Sequence, residues 1–150
     1  MIVRLLDVNV LISLLDSAHA NHAASVAWFR GFALVEGWAT CPITENGLVR
    51  IVSQVSYPNL RVTTAMAAQS LARLKSNFAD SYRFWASEVS IADDRVFDLN
   101  VLTGPRQTTD AYLAGLAFRK GGRLATFDKA IPWRAVRGAG EELVERIPVA

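Results

Sequence analysis

Ile2-Val3-Arg4-Leu5-Leu6-Asp7-Val8-Asn9-Val10-Leu11-Ile12 decides the fold class. Ile2 to Leu6 is a short run with β-branched residues, bounded by Asp7, which is the pattern of a buried strand. Immediately after it, Val8, Leu11, Ile12 and Leu15 fall at helical spacing. A strand that feeds straight into a helix is the opening unit of an α/β sheet, and the rest of the chain repeats it.

His19 to Gly37 holds a second helix, with Val26, Phe29, Ala33 and Leu34 on one face and Gly37 past its end. Trp38 to Cys41 is a short apolar strand, and Pro42 suits the first turn of a helix running to about Gln54 with Leu48, Val49, Ile51 and Val52 as its apolar face. Tyr57-Pro58-Asn59 is a turn, and Thr63 or Thr64 caps a helix through Lys75. Phe84 to Ala86 is a candidate strand, while Ser90 to Gln107 is mixed and broken at Thr103-Gly104-Pro105. Thr108 or Thr109 caps a helix from Asp110 to Lys120 that Gly121-Gly122 ends. Arg123 to Thr126 reads as a strand, Lys129 to Val136 as a short helix, and Leu143 to Ile147 as the last strand. Alternating strands and helices predict an α/β domain over residues 1–150, with a central parallel β-sheet of four to five strands covered by helices on both faces.

Length and composition bound what such a domain does. With 150 residues, 51% hydrophobic and 20% charged, the chain has the size of one ordinary domain and too much apolar surface for a disordered one. The single cysteine, Cys41, excludes an internal disulfide framework and a cysteine-based zinc site, and reads as a small buried hydrophobe in a reducing compartment. The apolar stretch Leu5 to Leu15 is interrupted by Asp7 and Asn9 and is too short to span a membrane, so a cytoplasmic protein is expected. Net charge is only +2, but all save three of the 16 basic residues are arginine, the exceptions being Lys75, Lys120 and Lys129. That bias suits a phosphate-bearing ligand, although a GC-rich genome produces it too.

Parallel sheets of this kind bind ligands beyond the carboxyl ends of their strands, so the polar residues there carry the functional signal. Asp7 follows the first strand, Glu45 lies in the first turn after the second, Asp110 opens a helix, and Asp128 follows the strand ending at Thr126. Each interrupts an apolar neighbourhood. Taken singly, an Asp after a strand is often only a helix N-cap. Taken together, four carboxylates gathered at one edge repel one another unless protonated or bound to a cation. Oxygen-only donors select hard ions such as Mg²⁺ or Mn²⁺, which activate water and stabilise the leaving oxygen of a phosphodiester. Asp93-Asp94 and Glu141-Glu142 read as solvated charges, and Asp16, Asp80 and Asp98 have no such context.

The blocks Leu6-Asp7-Val8-Asn9-Val10-Leu11-Ile12, Cys41-Pro42-Ile43-Thr44-Glu45, Thr109-Asp110-Ala111-Tyr112-Leu113-Ala114 and Thr126-Phe127-Asp128 together resemble a PIN domain across almost the whole chain. With His19 and His22 ahead of Trp28-Phe29, the pattern is similar to the VapC toxins of VapBC toxin–antitoxin pairs. The one departure is minor: Ile131 stands where many relatives have Phe or Leu. The resemblance implies a Mg²⁺- or Mn²⁺-dependent ribonuclease in which Asp7, Glu45, Asp110 and Asp128 hold the metal. It further implies that Asn9 and Thr126 orient those acids, that the chain forms a homodimer, and that a VapB-type antitoxin neutralises it.

Other residues carry less. Arg50, Arg106 and Gln107 are candidate RNA or antitoxin contacts, with a plain surface role equally open. His19 and His22, three apart, can share a helix face, but two histidines without cysteine partners do not make a zinc site. Trp28 and Trp38 read as core or interface. Three rival enzymes or modules fit part of the pattern. Asp7-Val8-Asn9 approaches the start of haloacid-dehalogenase-like phosphatases, but Asn9 does not titrate and so cannot serve as the second acid. A signalling receiver needs an acceptor Asp at the end of a central strand, which the Trp38 to Cys41 strand lacks. A non-catalytic PIN-fold module that only binds RNA or protein has no reason to keep all four acids.

Overall fold

The computed structural model describes residues 1–149. Five strands form one sheet in the order β3-β2-β1-β4-β5, with β1 at Arg4–Leu6, β2 at Trp38–Thr40, β3 at Tyr82–Phe84, β4 at Arg123–Thr126 and β5 at Val144–Arg146. All four pairings are parallel. The chain begins at the centre, steps outward through β2 and β3, then returns to the other side of β1 as β4. The order therefore reverses between β1 and β4, which is where a crevice opens at the carboxyl edge of such a sheet.

The strands are short, the three inner ones β2, β1 and β4 are largely buried, and their residues alternate faces as a period of two requires. Leu5, Ala39 and Leu124 enter one core with Leu113, Leu116 and Ala117 of helix α6, Thr108–Arg119. Leu6, Trp38 and Ala125 enter the other, against helices α1 (Val8–Leu15), α2 (His22–Trp28), α4 (Pro42–Val52) and α5 (Thr64–Asn77). Helices on both faces and a parallel sheet of five strands are what the alternating pattern predicts. Cys41 is fully buried, and Trp28 and Trp38 belong to the core. Among the described residues, no helix is long and apolar enough to cross a membrane.

Several local expectations need correction. The edge strand is Tyr82–Phe84, two residues earlier than the Phe84 to Ala86 reading, because Trp85 is already turning into the core. No helix spans Lys129 to Val136: only a 3₁₀ turn at Trp133–Ala135 forms. Pro132 is the reason, since it has no N–H to donate and disfavours helical backbone at Ile131. The segment from His19 starts its helix only at His22, so the two histidines do not share a helix face. His19 Nδ1 instead accepts from the Asn21 amide at 3.0 Å, and His22 Nδ1 lies 2.7 Å from the Ser13 carbonyl, tying α2 to α1. After Trp28 the helix widens into a π-helical turn, Phe29–Ala33, before closing as α3, Leu34–Glu36, at Gly37. Thr63 does cap α5, accepting from the Met66 amide at 3.1 Å. Neither Thr108 nor Thr109 caps α6, because a 3₁₀ turn at Pro105–Gln107 already leads into it and the Thr108 hydroxyl donates back to the Pro105 carbonyl.

Candidate active site

The carboxyl edge between β1 and β4 is assembled from residues that leave the two strands at the same level. Leu6 pairs with Ala125, and the Asp7 amide continues the ladder by donating to the Ala125 carbonyl at 3.0 Å. Asp7 then leaves the sheet as the N-cap of α1, its Oδ1 accepting from the Val8 amide at 2.8 Å. Its other oxygen, Oδ2, accepts from Thr126 Oγ1 at 2.7 Å. Thr126 is fully buried and accepts in turn from the Asp128 amide at 3.0 Å and from Asn9 Nδ2 at 3.3 Å. Asn9 Oδ1 closes the ring by accepting from the Phe127 amide. Asn9, Asp7, Thr126 and Asp128 thus form one hydrogen-bonded unit across the switch point.

Asp110, in the first turn of α6, shares the electrostatic field of this unit. Burial pushes its carboxyl up to about 6, with the negative charges of Asp7 and Asp128 adding to the rise. Burial likewise lifts Asp7 above the ordinary carboxylate range; the hydrogen bonds from Thr126 and the Val8 amide oppose this and are outweighed, and Asp128 adds to it. Asp128 itself is exposed, and its Oδ1 accepts from the Ala130 amide at 2.9 Å. Three carboxylates from three segments therefore act on one another at the carboxyl edge.

Glu45 is placed differently. It lies in the first turn of α4, beyond β2, and its Oε2 accepts from Thr40 Oγ1 at 2.6 Å and lies 3.4 Å from the Tyr82 hydroxyl. The ammonium of Lys75, from α5, forms an ion pair with the same oxygen. The neighbourhood thus contributes an expected acid, but with a cation already on it. Thr40, Lys75 and Tyr82 were not legible as site residues. One signal existed: Ala39-Thr40 ends β2 as Ala125-Thr126 ends β4, and each threonine donates to an acid. Arg50 and Arg106 are exposed, while Gln107 Oε1 accepts from the Thr103 amide at 2.7 Å and so braces the turn before α6.

The donor set is carboxylate oxygen with no histidine or thiol in it, which is the chemistry of Mg²⁺ or Mn²⁺. Among the described residues, no three His, Cys, Asp or Glu side chains are grouped so as to hold an ion on their own. A loose carboxylate edge still fits Mg²⁺, which keeps several waters and takes only one or two carboxylates alongside substrate phosphate. Burial first, and repulsion between the acids second, raise Asp7 and Asp110, and such a cation relieves the repulsion.

An all-parallel sheet with acids at its switch point is the architecture of α/β domains that bind ligands at the carboxyl edge. Within it, the PIN domain model matches residues 4–137, and the chain belongs to the PIN domain family. It is similar to Ribonuclease VapC44 of Mycobacterium tuberculosis, 45% identical over 138 residues that cover 92% of this chain and 94% of the relative. Ribonuclease VapC39 of the same organism is 42% identical over 139 residues, 93% of this chain and 98% of the relative. Ribonuclease VapC38 is 41% identical over 127 residues, 85% and 86% of the two chains.

Proposed function

We propose that this chain is an endoribonuclease, the toxin of a type II toxin–antitoxin pair, with one PIN domain over residues 1–150. Its relatives bear the name ribonuclease over nearly their full length, and the Thr126-centred ring that binds Asp7 to Asp128 is the observation that carries the reading to this chain's own residues. Asp7, Glu45, Asp110 and Asp128 are the residues that would hold Mg²⁺ or Mn²⁺, some directly and the others through the ion's waters. When bound, the cation lowers the pKa of water and offsets charge on the phosphodiester.

The remaining work belongs to the protein. Thr126 and the Val8 amide fix both oxygens of Asp7, so that its carboxylate is aimed before substrate arrives. Asn9 fixes Thr126 and the Phe127 amide, and through them the start of the loop that carries Asp128. Such outer partners govern affinity nearly as strongly as the ligands they orient. Arg50 and Arg106, exposed on α4 and before α6, supply cationic contacts for RNA phosphate or for acidic residues of a VapB-type antitoxin, with Gln107 beside them. The phosphatase alternative is weakened further, because the Asn9 amide is committed to Thr126 rather than free for acid–base work. A homodimer acting in the cytoplasm, where RNA and a VapB partner occur together, completes the reading.

The test is cleavage of total RNA by the purified, antitoxin-free protein with Mg²⁺ or Mn²⁺ against EDTA, beside Asp7→Asn. Discrete fragments that need the metal and vanish in the variant are expected, with 3′-hydroxyl ends. Fragments that persist through both EDTA and the substitution would sink the proposal, and metal binding without cleavage would favour a binding-only module.

A further inference from the structure

Glu45 differs from the three aspartates in having a resident cation. Its Oε2 takes the Lys75 ammonium, the Thr40 hydroxyl at 2.6 Å, and the Tyr82 hydroxyl at 3.4 Å. Lys75 is itself framed, with its nitrogen 5.3 Å from the ring centres of both Tyr82 and Phe84. Tyr82 in turn exchanges a hydrogen bond with Thr40 at 2.6 Å. The cluster is therefore held by β2, β3, α4 and α5, on the β2–β3 side of the sheet edge. The aspartate group lies at the carboxyl ends of β1 and β4.

We propose that Lys75 is a positioning residue for Glu45. It holds the carboxylate in an ion pair beside β2 and β3, so that a divalent cation at the aspartate group recruits Glu45 in competition with Lys75. This rests on the metal-site reading above. Its physical basis is competition: Lys75 and a divalent ion share the single negative charge of one carboxylate, so each weakens the other's hold on it. The side chains of Lys75 and Glu45 are 27% and 19% exposed, so the pair is partly screened and can open.

The test is a titration of purified protein with Mn²⁺, read by the electron paramagnetic resonance of free ion and independent of cleavage. Lys75→Met should bind Mn²⁺ about two- to fivefold tighter than wild type, the ratio that a part-exposed ion pair is worth. Lys75→Arg, which keeps the charge, should stay within about twofold of wild type. On a Glu45→Gln background the effect of Lys75→Met should disappear, which a merely structural role for Lys75 does not predict. Lys75→Gln gives the same comparison should the methionine variant aggregate. Unchanged or weaker Mn²⁺ binding in the neutral variants would overturn the proposal, as would an effect that persists without Glu45. Absence of Mn²⁺ binding in wild type, or binding untouched by Asp7→Asn, would instead overturn the metal-site reading and this inference with it. That failure is distinguishable, because it occurs in proteins whose Lys75 is intact.

Discussion

Asp16 has no strand before it and no metal-like neighbours in sequence, and nothing in the chain order marks it. In the fold it is 1% exposed at the end of α1 and is one of the few buried acids. Burial by itself raises its carboxyl, but the Tyr57 hydroxyl, Asn59 Nδ2 at 2.8 Å and the Ala18 amide at 3.0 Å outweigh that and hold it below the ordinary range. Tyr57 is correspondingly pushed up to about 12, first by burial and then by Asp16. The turn Tyr57-Pro58-Asn59 was readable; that its side chains clamp a residue 41 positions earlier was not, because only the tertiary fold brings the two together. The sign of the consequence is fixed. A carboxyl lowered on folding stabilises the native state above its unfolded value, roughly pH 4, and that contribution fades as pH falls through the lower folded value. Thermal melts from pH 6 down to pH 3 should therefore show a steeper acid loss for wild type than for Asp16→Asn. Parallel curves would show that Asp16 is not a source of the acid sensitivity. By contrast the position of Asp7 and Asp128 at the sheet edge was legible, because Asp7 directly follows β1 and Asp128 lies two residues beyond β4, and strand ends in parallel sheets are where polar residues converge.

Between elements, the decisive contact is α1 on α4, because Asp7 caps the first and Glu45 opens the second. Gly47 lies there, and a Cβ on it would come 2.8 Å from Val8 Cγ2, closer than real contacts allow. Val8 is stiff at χ1, so relief requires the helices to part rather than a rotamer change. Gly47→Ala is expected to cost about 1–3 kcal/mol in overpacking and to lower RNA cleavage beyond what the lost stability explains. Adding Val8→Ala should restore both. Denaturant unfolding beside cleavage rates checks this, and a Gly47→Ala protein with wild-type cleavage would mean that the α1–α4 spacing does not set the geometry of the acids. The sequence allowed the helices to be placed but not this spacing, since a glycine inside a helical pattern carries no record of what approaches it. The misplaced elements have similarly local causes. Pro132 overrode an apolar rhythm that suggested a helix, and the edge strand β3 was shifted because Tyr82 is only partly buried, Arg83 and Phe84 are exposed, and the three lack the apolar run of the inner strands.

Across the whole molecule, the sheet separates its two edges by task. The carboxyl edge collects carboxylates that repel, while the amino edge neutralises its charges internally. Arg4, 4% exposed at the start of β1, donates through Nε to both oxygens of Glu145 at 2.9 Å and through a terminal nitrogen to Glu36 and the Ile2 carbonyl at 3.0 Å. Glu145 on β5 also accepts from the Trp28 indole at 2.7 Å and pairs with Arg123 at 3.4 Å. One carboxylate thus ties β1, β4, β5 and α2 together. None of it was legible, because Arg4 in an apolar strand and Glu145 near the end of the chain look unrelated until β4 and β5 are laid beside β1. Removing one partner of a buried pair strands the other charge, which typically costs about 3–5 kcal/mol. Glu145→Ala should fall at the lower end of that range, since Glu36 remains to Arg4, and Glu36→Ala should cost less, having fewer partners to orphan. Because no side chain of the network bonds to Asp7, Thr126 or Asp128, the folded fraction of Glu145→Ala should cleave RNA at the wild-type rate per molecule. Urea unfolding combined with cleavage measured well below the unfolding midpoint separates the two quantities. A stable Glu145→Ala protein would remove the amino edge as a source of stability, and a stable but inactive one would show that the two edges are coupled through the strands rather than divided by them.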